Sequence, residues 1–301
     1  MTAVLLAAGE TMAMVAPRTA ERLHAADAFR VDAGGAESNV AGHVAALGHS
    51  AAWFSRLGAD PLGDRILNRL AARGIDVSTV VRDAAHPTGL YVKDPGHGVH
   101  YYRAGSAASF LSAADADAVD LAGVRVLHVS GITAIISPSA AEFLDRIMLR
   151  AREAGVLVSF DVNHRPSLWD AETAGAALAP FAARSDIVFV GRDEAERLWG
   201  TATAEEVRAL LPDVPELVVK DGGHGATAFV GDEAVFEPAL RVDVIEEVGA
   251  GDAFAGGYLA TVLSDPPEGN ASIDRRLRAG HARAALVLAT TSDWAEEEEQ
   301  V

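Results

Sequence analysis

The chain has 301 residues, half of them hydrophobic and 23% charged, so it can bury a sizeable core and is not disordered as a whole. Lys and Arg number 25 against 43 Asp and Glu, and a net charge of −18 argues against a nucleic-acid binder or a protein docked on anionic membrane. With no cysteine, a disulfide scaffold, a thiolate metal site and a Cys nucleophile are excluded, which suits a reducing cytoplasm.

The apolar stretch 3–9 has no basic residue before it and meets Glu10 at once, so it reads as a first buried strand rather than a signal peptide. No uncharged apolar run approaches the ~18–20 residues that span a bilayer. Residues 12–32 carry no long helical pattern. Amphipathic segments at 37–47, 63–73, 139–154 and 192–199 predict helices, several ending at glycines such as Gly48, Gly74, Gly155 and Gly200. Between them, short β-branched runs at 51–55, 124–130, 156–161, 186–190 and 217–220 lack clean alternation, as strands covered on both faces do. Strand and helix alternation implies right-handed crossovers and a mostly parallel sheet. Residues 88–103 break the rhythm as a hairpin turning at Asp94-Pro-Gly96, which places a small sheet beside the core. His97 and His100 flank that turn and are expected to be exposed, and the ten histidines form no zinc constellation. Trp169 and Trp199 read as core residues at helical spacing, and the terminal acids 296–299 as a solvated tail.

The densest signal lies near the C-terminus. Gly249-Ala-Gly-Asp252-Ala-Phe-Ala-Gly-Gly257 follows a stretch read as extended, 241–248, and opens an apolar helix running to about Leu263. Glycines at a helix mouth leave backbone N–H groups facing outward, and with the helix dipole they make an anion site. An Asp in the first turn stands beside any bound phosphate. It can take the proton from a hydroxyl that attacks phosphorus. Neither standard nucleotide fingerprint occurs: Phe254 stands where a dinucleotide fold wants its third glycine, and no Gly-x4-Gly-Lys-Ser/Thr is present. ATP, if bound, is bound by another architecture.

Three further segments precede that motif in order: Gly34-Gly-Ala-Glu-Ser-Asn39, Arg56-Leu-Gly-Ala-Asp60-Pro-Leu-Gly63 and Lys220-Asp-Gly222-Gly-His-Gly225. Together they resemble the ribokinase-like (PfkB) family of carbohydrate kinases, from Gly9 to about Trp294. The resemblance implies a three-layer α/β/α core with a mostly parallel sheet. It implies one domain over 1–301, with a β-sheet lid formed by about 12–32 and 88–103. Gly89-Leu-Tyr91, Tyr101-Tyr-Arg-Ala-Gly-Ser-Ala-Ala-Ser109, His128-Val-Ser-Gly-Ile132 and Asp161-Val-Asn-His-Arg165 resemble that family's 2-keto-3-deoxygluconate kinases.

What this implies is an ATP-dependent, Mg²⁺-assisted kinase acting on the terminal hydroxyl of a sugar acid, and a homo-oligomer joined through the lid. Asp252 would be the base, with Gly249, Ala250 and Gly251 facing the transferred phosphoryl group. Gly34, Gly35, Asn39, Tyr91, Tyr101, Arg103 and Arg165 would line the sugar pocket, and Lys220, Gly222, Gly225, Ala226 and His281 would contact ATP. Arginine's planar fork of donors suits a carboxylate, so two arginines favour an acid substrate over a neutral sugar. The chain also departs from the pattern it resembles. Glu246-Glu247 stands where relatives carry Asp-Thr or Asp-Pro, and Gly191 where they carry Asn or Ser, although Glu194 is retained. Glu194 and Glu246 are therefore expected to reach Mg²⁺ only indirectly. Asp161 and Asn163 sit at a strand end where either a structural or a functional role is open. Because both substrates would be anions on an acidic protein, the sequence predicts one locally positive cleft.

Overall fold

The computed structural model describes residues 3–19, 21–264, 269–290 and 294; the acids 296–299 lie outside the described residues. The first strand, β1 (Leu5–Ala8), leads into β2 (Met12–Pro17) and β3 (Phe29–Gly34), and α1 (Ala36–Ala46) carries the chain back to β4 (Ala51–Phe54). Then come β5 (Arg56–Gly58), α2 (Pro61–Ala72), β6 (Ile75–Asp76), β7 (Val81–Asp83) and the hairpin β8 (Leu90–Asp94) and β9 (Gly98–Tyr102). Helix α3 (Ala113–Ala118) precedes β10 (Val126–Ser130), α4 (Gly131–Ile136), α5 (Pro138–Glu153) and β11 (Leu157–Asp161). Next are α6 (Ala171–Ala183), β12 (Ile187–Gly191), α7 (Arg192–Trp199), α8 (Ala204–Leu210) and β13 (Glu216–Asp221). The antiparallel β14 (Gly225–Val230) and β15 (Glu233–Pro238) lead to α9 (Ala250–Ser264) and α10 (Gly269–Leu288).

Among the described residues the main sheet has nine strands in the order β15-β14-β13-β12-β11-β10-β1-β4-β6. From β13 to β6 every neighbouring pair is parallel, and β14 and β15 close the other edge antiparallel. Successive residues of the central strands feed opposite faces. Leu5 and Ala7 pack with α1, α9 and α10, whereas Leu6 and Ala8 pack with α5 and α6. Ile187 and Phe189 against Val188 and Val190 repeat this on β12. Both faces are thus covered, which is why these strands read as continuous apolar runs. This is the expected three-layer α/β/α class. The expected helix ends hold too: Gly200 follows α7 with φ 73° and Gly74 follows α2 with φ 78°, the left-handed region that glycine enters without a Cβ penalty.

A second sheet, in the order β3-β2-β8-β9, stands apart from the main one. Its inner side carries Met12, Met14 and Tyr91, flanked by Val99 and Tyr101. His97 and His100 are exposed on its hairpin, as expected. Behind the strand ends, the fully buried Arg276 of α10 donates to both Glu216 oxygens at 2.7 and 2.8 Å, and Tyr258 of α9 donates to the same carboxylate. This network ties both helices to β13, and a buried pair of this kind tolerates loss of neither partner.

Two local readings are refined. Residues 241–248, read as extended, pair with no strand of the described residues; Ile245 N–H bonds to Leu288 O at 2.8 Å at the end of α10, and Glu246 lies 4.0 Å from Lys93 Nζ. Trp169 lies in a turn beyond β11 rather than in a helix, although it does pack on the core; Trp199 ends α7 and donates to Gly175 O at 3.0 Å.

Candidate active site

A cleft of about 410 Å³ opens between the small sheet and the C-terminal ends of the parallel strands. Open α/β sheets place their ligand crevices at this edge. Asp161 closes β11, Gly191 closes β12, and Lys220 stands one residue before the end of β13. The loop after β11 adds Asn163, His164 and Arg165, the β3–α1 junction and first turn of α1 add Gly34, Gly35 and Asn39, and the mouth of α9 adds Gly249, Gly251 and Asp252. Met12, Tyr91, Val99 and Tyr101 form the apolar roof. Gly34 is needed there because a Cβ would overlap the Tyr91 hydroxyl, which rests on its backbone.

Asp252 and Asn39 meet across the cleft floor, where Asn39 Nδ2 donates to Asp252 Oδ2 at 2.8 Å. Burial pushes the Asp252 carboxyl up to about 7, against the lowering effects of the Asn39 bond and the Arg165 charge. A carboxylate of that kind is half ionised near neutrality, where a general base is most effective. Asn39, expected on the sugar, lines the cleft and also holds the acid. At the helix mouth Gly249 has φ 87°, which turns the chain into α9. Ala250 N–H is already spent on Glu247 O at 3.3 Å, so Ala250 does not face the cleft as expected. Gly249 and Gly251 do line it, and a Cβ at Gly251 would stand 3.5 Å from Lys220 Nζ. Backbone N–H and ammonium thus converge beside Asp252.

Lys220 donates to Asp161 Oδ2 at 2.9 Å. Burial pulls its ammonium down, but Asp161 and Glu194 outweigh that and hold it above the ordinary lysine value. Burial, helped by Asp161, raises the Glu194 carboxyl, whose oxygens take backbone N–H groups of His164 and, at 3.0 Å, Gly191. Asp161 Oδ1 is buried without a protein partner, and Asn163 beside it holds φ 44°, an unusual backbone for a non-glycine residue.

The two arginines differ in state. Arg103 is buried and forms an ion pair with Glu10, whose other oxygen accepts from Ser106 Oγ at 2.6 Å. Arg165 is half-buried, and among the described residues its guanidinium forms no ion pair, donating to the His164 carbonyl at 3.4 Å. So Arg165, not Arg103, is the cation with charge to offer.

Other expected residues lie elsewhere. Gly222 sits in the exposed turn after β13, and Gly225 and Ala226 open β14 against β15. His281 is bonded to Glu237 O at 3.0 Å and stands edge-on to Phe254, 5.1 Å between ring centres. None of the four lines the cleft. Glu246 borders a separate cavity, 4.0 Å from Lys93 Nζ, and its carboxylate caps the Glu247 and Val248 N–H groups at 3.1 and 3.3 Å. It is Glu247 that reaches the cleft wall. Residues missed by sequence reasoning include Glu10, Asp193 and Arg197. Glu10 had a readable signal: it is the first polar residue past a buried parallel strand, at the edge where such folds hold ligands.

The cleft is not the positive pocket expected. Its wall carries six carboxylates (Glu10, Asp161, Asp193, Glu194, Glu247 and Asp252) against four cations (Arg103, Arg165, Arg197 and Lys220). No group of three or more His, Asp or Glu among the described residues is arranged to hold a metal alone. Mg²⁺ asks for less, being bound through one or two carboxylates plus phosphates while it keeps several waters. The unpartnered Asp161 oxygen fits that demand, and Glu194, its oxygens already taken by backbone, fits only through water.

Among the described residues no helix is long and apolar enough to cross a membrane. The chain is 37% identical over 296 residues to a 2-dehydro-3-deoxygluconokinase of Bacillus subtilis, covering 95% of this chain and 89% of that one. It is 31% identical to a 2-dehydro-3-deoxygalactonokinase of Haloferax volcanii, covering 98% of this chain and 94% of that one. Its fold superposes on a PfkB protein from Polaromonas sp. JS666 with a TM-score of 0.86 at 33% identity, over 97% of each chain. The family model described as pfkB family carbohydrate kinase matches residues 3–299. By that match over nearly its whole length, the chain belongs to the pfkB family of carbohydrate kinases.

Proposed function

We propose that the chain transfers the terminal phosphoryl group of ATP to the terminal hydroxyl of a 2-keto-3-deoxy sugar acid, with 2-dehydro-3-deoxygluconate the first candidate. The observation that carries this is Asp252, raised to about 7, sharing one cleft with the unpaired guanidinium of Arg165. A sugar acid with its carboxylate on Arg165 would present its far hydroxyl to Asp252. Asp252 takes that proton as the oxygen attacks phosphorus. Gly251 N–H and the Lys220 ammonium meet the charge that develops on the phosphoryl oxygens. Bound Mg²⁺ would neutralise the nucleotide phosphates, with Asp161 and Glu194 the residues present to hold it through oxygen and water. Gly222, Gly225, Ala226 and His281, outside the cleft, are left for the rest of the nucleotide. The names of the Bacillus and Haloferax relatives support a sugar-acid substrate.

The small sheet would act as the lid, its apolar roof excluding water from the transfer. Phe29 and Tyr102 are exposed on it, by 39% and 63%, which supports its pairing with a second copy. Sedimentation velocity is expected to give twice the chain mass, and a strict monomer at micromolar concentration rejects the pairing. An ATP-dependent enzyme without cysteine also suits the cytoplasm.

The direct test is an ATP-consumption screen over sugars and sugar acids. The expected result is a kcat/KM for 2-keto-3-deoxy acids higher than for fructose or ribose by roughly 10²-fold, the scale of one charge-assisted contact. A preference for a neutral sugar overturns the substrate assignment. Sugar-acid binding by calorimetry without ATP turnover would instead mark a silent binding relative, the outcome that Glu246-Glu247 and Gly191 would then explain.

A further inference from the structure

The chain passes between the small sheet and the main body at residues 9–11, 35, 84–89 and 103–106. Glu10 lies in the first of these crossings and touches the other three. Its carbonyl oxygen would be 2.5 Å from a Cβ at Gly35, and its Oε1 would be 2.9 Å from a Cβ at Gly89. The same Oε1 accepts from Ser106 Oγ at 2.6 Å, and Oε2 pairs with the Arg103 guanidinium. Glu10 is 3% exposed and Arg103 9%, yet both border the cleft rather than the core. A buried carboxylate thus joins the first crossing to the last and lies against Gly89 in the third. In low dielectric such a pair holds its geometry firmly while both partners are present.

We infer that Glu10 is a positioning residue: it fixes the Arg103 guanidinium in the cleft wall and pins the small sheet at its crossings, so that the carbohydrate side of the site forms only with the sheet seated. Glu10 does not touch the transferred group; it acts through Arg103 and Ser106. The absence of a Cβ at Gly35 and Gly89 is part of the same device, since either side chain would displace it. The inference rests on the cleft being the carbohydrate site, as proposed above, but not on which carbohydrate fills it.

The wild type is first screened to find the carbohydrate it phosphorylates fastest, which by itself decides whether the sugar-acid reading stands. KM and kcat are then measured on that substrate and on ATP. Glu10→Gln removes the charge and keeps the shape; its carbohydrate KM is expected to rise roughly tenfold while ATP KM stays within twofold, and Glu10→Asp is expected to recover most of the loss. In the Arg103→Ala background, Glu10→Gln should add less than twofold, because its effect runs through the guanidinium. Equal rises in both KM values, or full additivity with Arg103→Ala, overturn the inference. Should Glu10→Gln not fold, Ser106→Ala removes the bond that orients Glu10 and carries the same split, with a rise of roughly threefold. An unchanged carbohydrate KM there also overturns it.

Discussion

Asp252→Asn is expected to lower kcat by roughly 10³-fold while leaving both substrates bound, because general-base catalysis supplies about 10²–10⁴-fold and the amide cannot take a proton. Binding should survive because the new side chain can turn its oxygen to Asn39 Nδ2, which already donates to this position at 2.8 Å. The pH dependence separates base from bystander. With the carboxyl raised to about 7 by burial, wild-type kcat should climb through that pH to a plateau, and the variant's residual rate should lack the inflection. Stability should move the other way. A carboxyl whose native pKa lies above its unfolded value of 3.8 favours the native state below about pH 4, and that contribution is lost as pH rises towards 7. Asp252→Asn should therefore raise Tm above pH 7 and lose this advantage towards pH 4. Turnover within tenfold of wild type, or an unmoved inflection, removes Asp252 from the base role.

How far the site could be read from the sequence depends on the range of the interactions involved. Strand and helix positions were legible because each strand's apolar run and each helix's period are local, and both faces of the sheet are buried. Gly249–Asp252 was legible for the same reason: the turn, the helix mouth and the acid lie within four residues. What was not legible is who pairs with whom. Asn39 and Asp252 are 213 residues apart, and nothing near either says that they bond. Arg103 and Arg165 look alike in sequence, two arginines beyond strand ends. Only the fold reveals that Glu10 has taken the first and left the second open. Glu246 misled for a related reason. Its place in the motif suggested metal, but the loop that carries it forms no strand and turns its carboxylate back onto its own backbone and towards Lys93. The expected positive cleft was built from cations, helix N–H groups and Mg²⁺, and what the sequence did not reveal is the carboxylates that fold in beside them.

That reassignment makes Arg165→Ala the sharper test of the substrate. Among the described residues Arg165 has no carboxylate in an ion pair, so a carboxylate on the ligand would be its first strong contact. Removing it should raise the sugar-acid KM by roughly 10²-fold, since truncating one member of a close charge pair costs about 2–5 kcal/mol. The KM of a neutral sugar, if one is turned over at all, should change little. A second readout comes from Asp252, whose pKa the Arg165 charge lowers. Without that charge the kcat inflection should move above the wild-type position. Arg165→Lys separates the two effects: it keeps the charge and so the inflection, but loses the planar fork, so the sugar-acid KM still rises. A rise confined to ATP KM would put Arg165 on the nucleotide phosphates, and a sugar-acid KM within threefold of wild type would leave the acid-specific reading without its main support. The acidic cleft makes the expected outcome a demanding one, because six carboxylates line the wall and a substrate carboxylate has to be met by Arg165 to enter.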